Sequence, residues 1–80
     1  MESRADFRER EGLILSQCRL ESGLSQEYVA RQMDVNIRTV RNWEDGLSPI
    51  RNDDLLMWFT VCKQSPWRWL QRIWMPSAFS

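Results

Sequence analysis

The stretch that most constrains this chain is Ser25–Gly46, SQEYVARQMDVNIRTVRNWEDG. It divides into two short helical segments with almost no chain between them. Ser25 suits an N-cap, because its hydroxyl can accept from the orphan amides of the turn that follows. Glu27 then complements the positive helix end. Val29, Ala30 and Met33 fall on one apolar stripe. Asp34 interrupts, Val35 plugs inward, and Asn36 offers a second N-cap. Val40 and Trp43 form the inward stripe of the second segment, with Ile37, Arg38, Arg41 and Asn42 around the rest of it. Asp45-Gly46 closes it with a residue at ease in the left-handed region. So short a turn makes the two axes cross steeply, and the small Ala30 lets the backbones approach.

The flanks read as further helices. A first helix is expected from about Phe7 or Gly12 to Ser22, with Ile14, Leu15 and Cys18 on its inner side. Gly12 costs about 1 kcal/mol inside a helix, which favours a start after it. Asp6 and Glu9 have the spacing of a capping-box variant, and the first five residues are expected to fray. The second and third helices are about Gln26–Met33 and Ile37–Glu44. GLSPIRN is a loop by its Gly, Ser and Pro content. Asn52 or Asp53 is expected to cap a fourth helix that ends near Lys63, with Leu55, Phe59 and Cys62 inward. Leu56, Met57, Trp58 and Val61 then load its other side with apolar groups. Ser65 caps a fifth helix with Pro66 at its favoured first position, and Pro76 ends it. No strand-like alternation or repeat is present. The expected class is a compact all-α, five-helix domain: residues 1–10 a flexible or helix-extending segment, 11–75 the folded unit, 76–80 a tail.

Eighty residues make one small domain, and 42% hydrophobic residues suffice for one core. No apolar run approaches a membrane span, and MESRADFRER is too charged for a signal peptide, so the expected location is cytoplasmic. Cys18 and Cys62 have no metal-site spacing and the chain has no histidine; both are expected to be buried free thiols, with no metal and no cofactor. Eleven basic and eleven acidic residues cancel, which lowers expected non-specific affinity for nucleic acid. Their distribution differs, however. Arg31, Arg38, Arg41 and Arg51 gather around the central stretch, and ten of the eleven basic residues are arginine, the side chain suited to forked contacts with phosphate and guanine.

RLESGLSQEYVA followed by VNIRTVRNWEDG resembles the Cro and phage-repressor helix-turn-helix family, whose bacterial members are often called the Xre family. The likeness runs from about Leu15 to Leu70, and SPWRWL resembles the start of the family's fifth helix. It implies a lambda-repressor-like domain, with the helix-turn-helix in helices 2 and 3, that binds operator DNA as a symmetric dimer to regulate transcription. On that resemblance Gln26 contacts a backbone phosphate and braces the first turn of the recognition helix. Asn36 faces the backbone and Arg41 the phosphates or flanking bases, while Ile37, Arg38 and Asn42 reach base edges with Thr39 close by. Arg19 and Glu44 match a buried ion pair. Two positions depart from the pattern: Asp34 and Lys63 stand where the family usually has glycine. Aspartate tolerates the left-handed region better than most residues.

A helix reads double-stranded DNA by presenting directional hydrogen bonds to base edges in the major groove. Arg38 can do so with guanine and Asn42 with adenine, and Ile37 offers an apolar surface to a thymine methyl. Arg51 is expected on a phosphate, whereas Arg31 is expected to be solvated. Trp58, Trp67, Trp69, Trp74, Met75 and Phe79 exceed what so small a core is expected to bury, and exposed aromatic patches mark interfaces. A homodimer through Trp67, Leu70, Ile73 and Trp74 is therefore expected, on an inverted-repeat operator. The leading expectation is a small repressor from a phage or mobile element, possessing no small-molecule ligand and associated with the nucleoid. An antitoxin-like module, whose aromatic C-terminus grips a different protein, is the competing reading. The chain carries no phosphate-cradling glycine loop, acid pair or activated nucleophile, so an enzyme is not expected.

Overall fold

The computed structural model describes residues 3–74, with the side chain of Trp74 outside the description. Its elements are α1 (Arg4–Glu21), α2 (Gln26–Met33), α3 (Ile37–Glu44), α4 (Asn52–Cys62) and α5 (Pro66–Trp74). The fold is all-α, and α1 packs against α3, α4 and α5, while α2 packs against α3 and α4. No helix among the described residues is long and apolar enough to cross a membrane.

Helix α1 begins at Arg4, before the expected start near Phe7 or Gly12. Ser3 and Asp6 form a reciprocal capping box: Ser3 Oγ accepts from Asp6 N at 3.1 Å, and Asp6 accepts from Ser3 N at 3.4 Å. The expected Asp6–Glu9 box is replaced by this one. Gly12 does not start the helix but lies within it, for a tertiary reason. A Cβ there would stand 2.5 Å from the carbonyl oxygens of both Trp43 and Glu44. Glycine is what lets α1 run against the C-terminal end of α3.

The helix ends follow local chemistry. Gly23, at φ 73°, terminates α1, and Leu24 N closes back on Arg19 O at 3.2 Å. Ser25 Oγ accepts from Tyr28 N at 3.0 Å to open α2. Asp34 adopts φ 56° and ψ 45°, the left-handed conformation expected of it, and Val35 N returns to Ala30 O at 3.0 Å. Asn36 Oδ1 then accepts from Arg38 N at 2.8 Å, so the N-cap of α3 stands two residues after the C-cap of α2. Helix α4 corrects the sequence reading: its N-cap is Arg51, which makes no side-chain capping bond, and Asp53 lies inside the first turn. Lys63 takes φ 54° at the end of α4, the geometry for which glycine is favoured.

The core holds more aromatic bulk than the sequence reading allotted to it. Trp58 and Trp69 are fully buried beside Leu15, Phe59 and Ile73. Trp58 belongs with Leu55, Phe59 and Cys62 on one wide stripe, not on the outer side of α4. Its indole meets Trp43 edge to face at 6.2 Å and donates to Leu15 O at 3.2 Å, which satisfies its one polar atom. Trp69 donates to Gln64 Oε1 at 3.4 Å, and the guanidinium groups of Arg68 and Arg72 lie 5.1 and 4.9 Å from its ring centre. Arg10 donates to Ile73 O at 2.6 Å, tying α1 to the last turn of α5. Cys18 and Cys62 are buried free thiols, and hydrogen bonding between them together with burial pushes the Cys18 thiol up.

Two glycine-related variants separate local preference from packing. Gly12→Ala raises helix propensity yet is expected to destabilise the fold by about 1–3 kcal/mol through overpacking against α3. Lys63→Gly relieves a left-handed non-glycine residue and is expected to stabilise by about 1 kcal/mol. Urea denaturation midpoints should move in opposite directions.

Candidate nucleic-acid interface

Arg19, on α1, and Glu44, the last residue of α3, set the position of the exposed helix. Nε and Nη2 of Arg19 donate to the two carboxylate oxygens at 2.6 and 2.9 Å, a forked pair. Arg19 Nη1 also donates to Leu24 O at 2.9 Å, and Gln26 Nε2 donates to Glu44 Oε1 at 3.0 Å. The pair is nearly excluded from water, with side-chain exposures of 11% and 5%. Glu44 pushes the Arg19 pKa up through these hydrogen bonds, so the guanidinium stays charged. One carboxylate thus joins α1, the first residue of α2 and the end of α3. Gln26 braces the last turn of α3, whereas the family resemblance implied the first.

The outward side of α3 is polar. Arg38 and Arg41 are exposed, Thr39 and Asn42 are half-buried, and Val40 and Trp43 fill the core behind them. Ile37 is half-buried and packs partly against the core, leaving one edge outward. The first turns of α2 and α3 share an open cleft of about 400 Å³, lined by Arg19, Ser25, Gln26, Glu27, Ile37 and Arg41. The first amides of α2 have no acceptor within their helix and carry its positive dipole end. With Arg41 opposite, that wall suits a phosphate, and the Glu27 carboxylate opposes one. Asn36 spends its side-chain oxygen on the cap and keeps its amide donor. Arg51 lies past the loop, exposed and only 3.7 Å from the equally exposed Asp53, a pairing of little energetic weight.

The helix-turn-helix family model HTH_3 matches residues 15–66. The chain belongs to that family. It is an Xre/Cro-type helix-turn-helix protein, and so a DNA-binding regulator by class. Two solved structures share the fold. The crystal structure of the clp gene regulator ClgR from C. glutamicum superposes with TM-score 0.79 at 18% identity, over 92% of this chain and 94% of that one. A point mutant of the restriction-modification controller protein C.Esp1396I gives TM-score 0.79 at 16% identity, over 99% and 98%. No curated protein matches the sequence at a significant level.

The structure brings Gln26, Ile37 and Arg41 to one cleft, with Arg38 exposed and Thr39 and Asn42 half-buried on the same helix. Leu70 and Ile73 are elsewhere and inside: at 9% and 0% exposure they belong to the domain's own core, which corrects their placement at a dimer surface. The periodicity of α5 explains it, because Trp69, Leu70 and Ile73 share the face that meets α1 and α4. Trp67 is 70% exposed, and the side chain of Trp74 lies outside the described residues, as do Met75, Phe79 and the tail 76–80. Sequence reasoning missed Glu11, a buried carboxylate that accepts from Ile50 N at 3.5 Å and so pins the loop leading to Arg51. Its spacing on the inner side of α1, seven residues before Cys18, carried the signal.

Two variants probe these supports. Glu44→Gln leaves Arg19 buried without its counter-charge and is expected to cost about 3–5 kcal/mol in urea denaturation. Burial pushes the Glu11 carboxyl above its ordinary value of 4.5, more than the Ile50 hydrogen bond lowers it. Between the ordinary and the raised value the folded state binds more protons, so this group's contribution to stability falls as pH rises. Glu11→Gln keeps an acceptor for Ile50 N. It is expected to remove that component and to raise the melting temperature at pH 7 relative to wild type.

Proposed function

We propose that this protein is a sequence-specific transcriptional repressor that binds an inverted-repeat operator as a two-fold dimer and reads the major groove with α3. The observation that carries the reading is the outward side of α3, where Arg38, Arg41 and Asn42 surround a helix held rigidly from behind by Glu44. Arg38 pairs with guanine, Asn42 with adenine, Ile37 meets a thymine methyl, and Thr39 lies beside them at the base edges. Gln26, Asn36, Arg41 and Arg51 hold the phosphates. DNA binding belongs to residues 11–75, with the first turns of α1 extending that unit. The location is the nucleoid, and the regulated operon is one of a phage or other mobile element, including the repressor's own.

The dimer contact rests on the outer side of α4 and the start of α5. Trp67 is exposed in the first turn of α5, and an apolar groove of about 200 Å³ has Asn52 and Leu56 at its rim and the core residues Leu55 and Leu70 as its floor. An exposed ring beside a groove is self-complementary under a two-fold axis. Such a dimer sets its recognition helices about 34 Å apart.

Selection of bound duplexes from a random pool tests the reading. Wild type is expected to enrich an inverted repeat. Arg38→Ala is expected to lose about 1–3 kcal/mol of discrimination at one base pair per half-site. Trp67→Ala is expected to shift sedimentation toward monomer and to enrich single half-sites. Enrichment of no sequence by wild type refutes the proposal and leaves a protein-binding module, antitoxin-like in its use of the aromatic surface.

A further inference from the structure

The first turns of α1 carry a feature that neither the helix-turn-helix nor the dimer contact uses. Arg4, Phe7, Arg8 and Pro49 enclose a mostly apolar cleft of about 310 Å³ between α1 and the loop that follows α3. Nε of Arg8 is buried and has no hydrogen-bond partner among the described residues. Neither Arg4 nor Arg8 has a carboxylate at ion-pair distance among those residues. Asp6, between them, is engaged with the N-cap at Ser3. Buried donors without acceptors are uncommon, and each calls for an explanation.

The cleft adjoins the chain that leaves α3. A Cβ on Gly46, two residues past α3, would stand 3.0 Å from Glu9 Cα and 3.1 Å from Arg8 O, so α1 rests directly on the chain leaving the recognition helix. Pro49, two residues before Arg51, forms the cleft's other wall. When α3 lies in a major groove, the segment leaving it climbs toward the sugar–phosphate backbone at the groove edge. Anything braced against that segment meets the same strand.

We propose that Arg4 and Arg8 form a phosphate clamp that extends the DNA contact beyond the helix-turn-helix, onto the backbone flanking each half-site. Phe7 and Pro49 line the cleft with Arg8, an apolar surface along which an arginine stem can lie while its charged head faces out. A phosphate meets the terminal guanidinium nitrogens of Arg8 in a forked contact. Arg4, exposed one turn earlier, meets the next phosphate. This contact positions the protein and carries no sequence information.

The inference rests on the DNA-binding reading, and the test separates the two. Affinity for the selected operator and for an unrelated duplex is measured against salt for wild type, Arg4→Gln, Arg8→Gln and Arg8→Lys. Each Gln variant is expected to reduce the slope of log K against log salt by about 0.9, one phosphate's share, and to weaken both duplexes alike. Arg8→Lys is expected to keep the slope and lose affinity, because it keeps the charge without the fork. Melting temperatures identify any loss due to unfolding, and Arg4, being exposed, gives a readout free of packing. Wild-type slopes in both Gln variants overturn the clamp and leave the repressor reading standing. Wild type that binds no duplex overturns both, and the cleft then falls to a carboxylate-bearing protein partner.

Discussion

Three parts of this structure depend on one buried carboxylate. Glu44 takes two hydrogen bonds from Arg19 and one from Gln26, so α1, the start of α2 and the end of α3 are joined at a single point. A buried ion pair is weak evidence for stability, since desolvation cancels much of its attraction. Its value here is positional. α3 has only 8 residues, too few to be stable alone, and must present its outer side at a fixed angle. A forked pair at one end and the Val40–Trp43 stripe behind it supply that angle without using any outward group. Gly12 serves the same arrangement, because only a residue without Cβ lets α1 approach the carbonyls of Trp43 and Glu44.

The division of labour between faces follows from that clamp. Behind α3 lie the edge-to-face indoles of Trp43 and Trp58, a dry and rigid support. In front lie arginine, threonine and asparagine. Elsewhere α4 and α5 leave Leu56, Met57 and Trp67 exposed, and Leu56 borders a shallow apolar groove, a composition suited to protein rather than to phosphate. A neutral net charge is compatible with DNA contact because Arg38 and Arg41 are exposed on α3, while several acids serve the fold: Asp6 in a cap, Glu11 on the loop amide, Glu44 in the clamp.

Much of this was legible in the sequence where local chemistry decides. Ser25, Asn36 and Gly46 mark helix ends by their own side chains or conformational freedom, and the bounds of α2 and α3 follow. Asp34 was readable as a left-handed turn residue for the same reason. Tertiary decisions were harder to see. The propensity cost of Gly12 argued for a late start to α1, but close packing against α3 outweighs it. Trp58 and Trp69 looked like surplus aromatic bulk because chain length alone does not show how wide a stripe α4 and α5 bury. Leu70 and Ile73 were assigned to an interface along with the aromatic residues around them. On the outer side of α3, which residues are exposed followed from the Val40–Trp43 spacing. The bracing of Gln26 against Glu44 rests on contacts distant in sequence and had no local signature.

The most direct test of the central claim is amide chemical-shift mapping of the isotope-labelled protein on addition of its selected operator duplex. The account predicts the largest changes at residues 36–42 and 25–27. The Arg19 and Glu44 side-chain environment should remain that of the free protein, as expected of a recognition helix already held in place. A silent α3, with shifts confined to other surfaces, would contradict it.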